Sequence, residues 1–232
     1  HTNQFDFPFA IHDRFGAEMA GTAAVCPGKP KVWELFRGKI DWFLREFPAC
    51  GAFQLTTSET QVPIFRCQCP ACSHLSETER SLMMVREAAT ICERHGKELQ
   101  IRTWGRIKEG DIYGEFSNAL PEGVLVSTKN TAGDFHLSSP FNTLIGLGKA
   151  PQIVEFDAWR EYSHWNHFPC YMGDIFAERL RLCAENGIDA VAARINWNPG
   201  KENIFEVPFG NAANIHVFAG LAQDPWQSPD DL

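Results

Sequence analysis

From residue 31 to residue 47 apolar side chains return at helical spacing: Val32, Leu35, Phe36, Ile40, Phe43, Leu44 and Phe47 mark one face, and Pro48 stops the run. A helix is predicted there. Ser76 and Glu79 stand at the spacing of a capping box, and the helix they open runs to about Gly96, a residue suited to a C-terminal stop. Residues 171–187 form a third helical pattern, with Ile175, Leu180, Leu182 and Cys183 among its apolar positions. Short apolar runs at 5–11, 51–57, 98–104, 124–129, 152–156 and 188–195 predict strands. Between them lie a loop rich in Gly, Ala and Pro over 15–30, a polar connector with a weak helical signal before 124, and a loop carrying Asn130, Gly133, Asp134 and Pro140.

Short strands alternating with helices or long connectors predict an α/β fold with a parallel sheet. Periodicity does not choose between a barrel and a doubly wound sheet, but the polar residues help. Glu59, Arg102, Lys129, Asp134, Glu155 and Asn196 fall at or just after the C-terminal ends of predicted strands. In a (β/α)8 TIM barrel those ends converge on one catalytic face. One domain over 1–232 is expected, with no internal repeat.

Composition narrows the function classes. Hydrophobic residues make up 44% and aromatics 12% of the chain, with 18 Phe and 7 Trp, which excludes a disordered chain. A formal charge of -8, from 21 basic and 29 acidic residues, leaves no broad basic face for phosphates or anionic lipid. Nucleic acid and membrane surfaces are therefore not expected partners. No apolar run approaches the roughly 18 to 20 residues of a membrane span, and residues 1–10 lack the basic start and long apolar stretch of a signal peptide. A soluble chain is expected, its compartment left open.

Three acids can carry chemistry. Glu59, Asp134 and Glu155 follow three different strands, and glycoside hydrolysis needs carboxyl groups flanking a bond, one to donate a proton and one to activate water. Each alone also fits an ordinary surface carboxylate. Arg102 and Lys129 sit beside them, where a fixed cation can hold a substrate carboxylate or steady an ionised acid. Trp104, Trp159, Trp165 and Trp197 cluster near the same strand ends, as sugar platforms or as core. His12, His136, His164 and His167 show no ligand spacing.

Of 8 cysteines, three crowd into Cys67-Gln-Cys69-Pro-Ala-Cys72. That spacing can place three thiolates on one zinc ion, with His74 or Cys92 completing a tetrahedron, but a second separated ligand pair is missing. Loop-bracing thiols or a local disulfide, without metal or other cofactor, are the preferred account.

Several segments together resemble a known family. The stretch Val126-Ser-Thr-Lys129-Asn130-Thr-Ala-Gly-Asp134-Phe135-His-Leu-Ser-Ser-Pro140 is similar to the Lys-Asn-Gly-Pro-Ile-Asp-Phe-Gln segment, with its later Pro, of the α-glucuronidases of glycoside hydrolase family 67. Phe53-Gln-Leu-Thr-Thr-Ser58-Glu59 resembles the family's strand ending in Asn-Ser-Glu, and Ile153-Val-Glu155-Phe156-Asp-Ala-Trp-Arg-Glu161-Tyr162 its Leu-Glu-Phe-Gln-Ile-Thr-Gln-Glu-Tyr stretch. Residues 214–229 resemble a segment that leads, in the family, into a helical C-terminal domain.

The resemblance implies an inverting glycosidase acting on a uronic-acid-bearing oligosaccharide. Glu59 would be the general acid, Asp134 and Glu155 would position or deprotonate water, and Arg102 and Lys129 would contact the uronic acid. Beside the resemblance, Trp104 and Asn130 are expected to bind substrate from their places at the strand ends. Two departures stand out: Leu55 occupies the place of a family lysine, and Leu137-Ser138-Ser139 replaces the family's Arg-Glu. The resemblance further implies that the chain covers strands 3 to 8 of the barrel, with 214–232 leading toward an absent helical region. Such a barrel would be completed by another chain or a missing segment, because open strand edges invite pairing. The rival reading is a non-catalytic carbohydrate-binding or scaffold domain, and a third centres on the cysteines as a metal-binding module.

Overall fold

A computed structural model describes residues 2–3, 5–56, 66–103, 110–162, 170–195 and 211–232. The chain divides into two compact units: His1–Val126 with Gly148–Pro151, and Ser127–Leu147 with Gln152–Leu232.

The first unit runs β1 (Thr2–Asn3), α1 (Phe9–Met19), α2 (Pro30–Glu46), β2 (Ala52–Thr56), α3 (Glu77–Arg94), β3 (Glu98–Arg102) and α4 (Gly110–Asn118). β1 lies parallel to β2, and β2 parallel to β3 in register from Ala52 opposite Glu98 to Thr56 opposite Arg102. α2 begins on Pro30, whose missing N–H costs nothing in a first turn, and buries the stripe Val32, Trp33, Phe36, Ile40 and Leu44. Phe5 fills the space above that stripe, its ring centroid 4.8 Å from that of Phe36 and 5.5 Å from that of Trp33. α3 starts with the reciprocal cap the sequence predicts. The Glu79 amide donates to Ser76 Oγ at 3.1 Å, and the Ser76 amide to Glu79 Oε2 at 2.7 Å. At the far end Gly96 takes a φ of 62°, which ends the helix without the cost a side chain would bring.

β4 (Leu125–Lys129) spans the boundary between the units, and the second unit continues through β5 (Gln152–Asp157), α5 (Gly173–Glu185), β6 (Ala190–Arg194) and α6 (Asn211–Gln223). β5 and β6 are parallel, from Ile153 opposite Ala190 to Asp157 opposite Arg194. Val154 and Phe156 of β5, Phe176, Leu180 and Cys183 of α5, and Val217, Phe218 and Leu221 of α6 form one buried apolar cluster. Phe218 packs its ring 5.2 Å from that of Phe156 and 5.4 Å from that of Phe176 between centroids. Asn214, fully buried, ties α6 to the start of α5 by accepting from the Met172 amide and donating to the Cys170 carbonyl, both at 2.9 Å.

The α/β class with parallel strands holds, but the (β/α)8 TIM barrel, with the chain as its strands 3 to 8, does not. The described strands number six, β1 among them only two residues long, and no pairing among the described residues closes them into a barrel. The βα alternation also fails in two places. Two helices separate β1 from β2, and between β4 and β5 there is no helix at all. The latter connection is a loop, braced by a bridge between Thr131 and Phe141 and by Asn142, which donates to the Lys129 carbonyl. The predicted strand at 5–11 is also corrected. Pro8, at φ -54° and ψ 148°, stands just ahead of α1, and Phe9 is left 89% exposed, so of this apolar run only Phe5 is buried.

The capping box is open to a direct check. Ser76→Ala removes one acceptor from the first turn of α3 and should destabilise the chain by about 1 kcal/mol in urea unfolding, with an unchanged m-value. An unchanged midpoint would mean that the first turn of α3 is held by other contacts.

Candidate functional site

Successive side chains of a strand point to opposite faces. Because Val154 and Phe156 pack against α5 and α6, Glu155 and Asp157 project from the other face of β5. Ser127 of β4 meets them there, its hydroxyl donating to Glu155 Oε1 at 2.5 Å. Arg194, opposite Asp157 at the end of β6, donates from Nε to Asp157 Oδ1 at 3.3 Å and from Nη2 to Glu161 Oε2 at 2.5 Å. One face of the second unit's strands is thus apolar and covered by helices, and the other is polar and charged.

Lys129 closes β4 on the polar face and is only 6% exposed. Its ammonium donates to Asp134 Oδ1, the Tyr162 hydroxyl donates to Asp134 Oδ2 at 2.5 Å, and the Phe135 amide donates to Oδ1 at 3.0 Å. Burial works to raise the Asp134 carboxyl, but the hydrogen bonds from Lys129 and Tyr162 and the Lys129 charge outweigh it and hold the group below the usual carboxylate range. Burial and the neighbouring Asp134 carboxylate push the Tyr162 phenol the other way. Phe135 lies between two cations, 4.5 Å from Lys129 Nζ and 5.0 Å from Arg194 Cζ. Tyr162 is delivered by a turn in which Arg160, itself buried, adopts a φ of 67°, a conformation costly to any residue with a Cβ. The imidazole of His136 stacks on the Tyr162 ring at 3.8 Å between centroids.

Of the residues expected from the sequence, Lys129 and Asp134 pair with each other, the Glu155 carboxylate is bonded to Ser127, and Asn130 meets the Glu155 backbone. Asn130 is engaged at both ends of its carboxamide: Nδ2 donates to the Glu155 carbonyl at 2.8 Å, and Oδ1 accepts from Arg179 Nη1 at 2.7 Å. It fastens β4 to β5 and α5. Arg102 ends β3 in the first unit and is half-buried. Glu59 and Trp104 lie outside the described residues, as do Trp165, Asn196 and Trp197. Trp159 is buried and offers no platform to a sugar. Sequence reasoning assigned no role to Asp157, Glu161, Tyr162 or Arg194. Strict alternation along 152–157 already puts Asp157 on the face of Glu155.

The cysteines form a second constellation, in the first unit. The sulfurs of Cys26, Cys67, Cys69 and Cys72 all lie within 4.8 Å of one another. The Cys26 sulfur is 3.4 Å from that of Cys69 and 3.7 Å from that of Cys72, and Cys69 and Cys72 are 3.7 Å apart. All four are free thiols, so of the two accounts preferred from the sequence, loop-bracing thiols or a local disulfide, the disulfide is not formed. The fourth member is Cys26, neither His74 nor Cys92, and it comes from the loop after α1. Its signal was present: Cys26-Pro27-Gly28 repeats the Cys-Pro-small pattern of Cys69-Pro70-Ala71. Burial works to raise the Cys67 thiol, but hydrogen bonds from the Thr22 hydroxyl and the Cys69 and Ala23 amides bring it down to about 5. Burial and the neighbouring sulfurs push the Cys26 and Cys72 thiols up.

Compared with known proteins, the chain matches no family model and no curated protein.

A depressed carboxyl stabilises the fold above its unfolded pKa, and that contribution is lost as pH falls through the folded one. Asp134→Asn leaves the Lys129 ammonium without its carboxylate and should cost about 1–3 kcal/mol near pH 7. The difference from the native chain should narrow below about pH 4, as the native carboxyl protonates. Denaturant unfolding at a series of pH values measures it, and a difference independent of pH would show that the charge of Asp134 contributes nothing.

Proposed function

We propose that the chain is a glycoside hydrolase of the inverting, α-glucuronidase-like kind. The observation that carries the reading is the Asp134 carboxylate, held ionised by Lys129 and Tyr162 on the same polar strand face as Glu155. Inverting hydrolysis needs one carboxylic acid to protonate the leaving oxygen and one carboxylate to work on water at the opposite face of the sugar. A carboxyl held below its ordinary range by a lysine is a weak base, so Asp134 serves as a fixed negative charge that orients water or steadies the oxocarbenium-like transition state. Proton abstraction then falls to Glu155. The role of acid goes to Glu59 through the family resemblance.

The same bonds favour a second reading. Lys129, Asn130 and Asp134 are engaged with one another's surroundings inside the protein, as in a domain that keeps a fold and binds sugar without cleaving it. Assays on aryl uronosides and aldouronic oligosaccharides separate the two. A hydrolase releases product with inverted anomeric configuration, visible by NMR at early times. Glu155→Gln and Asp134→Asn should each lower kcat by roughly 10² to 10⁴. Glu59→Gln should hurt substrates with poor leaving groups far more than activated aryl glycosides, which need little protonation. Saturable binding of oligosaccharides with no turnover would replace the hydrolase by the binding domain.

A further inference from the structure

Four sulfurs bound to one ion at the usual Zn–S length of about 2.3 Å stand about 3.8 Å apart, the edge of a tetrahedron. The contacts of 3.4, 3.7 and 3.7 Å among Cys26, Cys69 and Cys72 lie close to that edge, and Cys67 completes the set within 4.8 Å. A packed hydrophobic cluster has no need of four sulfurs facing inward. A disulfide would use two of them and leave two.

The surroundings are arranged for sulfur that carries charge. The Gly28 amide donates to Cys26 Sγ at 3.4 Å, and the Thr22 hydroxyl to Cys67 Sγ at 3.5 Å. Thr22 is oriented in turn by the Gln68 amide, which donates to its Oγ1 at 2.6 Å. Arg80, a fully buried cation on α3, clamps the ligand loop. It donates to the carbonyls of Cys67 at 2.8 Å, Cys72 at 2.7 Å and Leu75 at 3.1 Å. Such outer groups orient ligands and balance their charge in metal sites. Both loops also close on the sulfurs as tightly as backbone allows. A Cβ on Gly21 would stand 2.5 Å from Cys67 Sγ, and one on Gly28 would stand 2.7 Å from the Ala71 Cβ.

We propose that Cys26, Cys67, Cys69 and Cys72 bind one zinc ion in a closed, tetrahedral, structural site that joins the loop after α1 to the loop before α3. The donor set is all thiolate, which suits zinc, and four protein ligands fill a tetrahedron without a position for water or substrate. On binding, each thiol releases its proton to solvent and each sulfur forms one bond to zinc, with no change of oxidation state. This departs from the sequence reading, which preferred loop-bracing thiols or a local disulfide to a metal; the four-sulfur cluster completed by Cys26 is the reason for the change. The site does not depend on the proposed hydrolase, and a zinc-bound chain without activity would keep one reading and lose the other.

The test uses the full chain, produced with zinc supplied and freed of loosely held ions by gel filtration. About one zinc per chain is expected by elemental analysis, with X-ray absorption showing four sulfurs at about 2.3 Å. Exchange into cobalt(II) should give the strong visible bands of a tetrahedral thiolate complex. Cys26→Ser should weaken zinc retention against a chelator by at least about 100-fold, while Cys92→Ala, which removes a buried cysteine outside the cluster, leaves it unchanged. Should Cys26→Ser fail to fold, Thr22→Val replaces it and should weaken retention about 10-fold. Folded native chain with little zinc, a disulfide between any two of the four, an iron chromophore, or nitrogen and oxygen in the metal's shell would each overturn the proposal.

Discussion

Charge on a buried strand face has to be matched, because an ion taken out of water without a partner costs several kcal/mol. That constraint shapes the second unit. Lys129 at the end of β4 and Arg194 at the end of β6 stand on the face turned away from the helices. The two loops that follow β4 and β5 return carboxylates to them. Asp134 comes back to Lys129 only five residues later, which the chain achieves by turning through Gly133 at a φ of 129° and closing with the His136 amide on the Asp134 carbonyl at 2.8 Å. Glu161 reaches Arg194 through the left-handed turn at Arg160, after its own amide has bonded Asp157 Oδ2 at 2.7 Å. The loop geometry that brings Tyr162 to Asp134 is thus a consequence of pairing buried charge.

The first unit meets the same requirement in another way. Arg80 lies one turn into α3, and carbonyl oxygens of the preceding loop receive its guanidinium. The capping box at Ser76 and Glu79 and the clamp at Arg80 therefore act on consecutive stretches of backbone. One sets where the helix begins and the other sets the path of residues 67–75 into it. The spacing of Cys67, Cys69 and Cys72 follows from that path, and the amide of Ser73 bonded to the Cys69 carbonyl at 2.8 Å tightens it into a knuckle.

What could be read from the sequence was what local periodicity controls. α2, α3 and α5 and the strands β2 to β6 lie where apolar spacing, the capping box and Gly96 put them, within a few residues. The run at 5–11 misled because two phenylalanines flanking a proline look like a buried strand until one of them, Phe9, turns out to face solvent. Barrel closure was not legible at all, since it depends on pairing between distant strands and leaves no mark in local pattern. Cys26 escaped for a related reason, standing 41 positions before Cys67, so only the fold brings them together. The pairing of Lys129 with Asp134, and of Asn130 with the Glu155 carbonyl and Arg179, was not legible in the sequence. A carboxamide or ammonium at a strand end has the same sequence signature whichever group it meets.

That internal use of Lys129 bears on which sugar the proposed hydrolase takes. An anionic uronic acid approaching Asp134, Glu155, Asp157 and Glu161 meets carboxylates, and it binds only where positive charge exceeds what those groups consume. Lys129 is matched by Asp134, and Arg194 by Asp157 and Glu161. Neither brings surplus charge to a substrate without first giving up an acid, and giving up Asp134 would release the carboxylate from the cation that keeps it ionised. A uronic carboxylate on this face would therefore compete with Asp134, Asp157 and Glu161 for the same cations. The departures at Leu55 and at Leu137-Ser138-Ser139 point the same way, since each removes charged groups from places where the family's pattern has them.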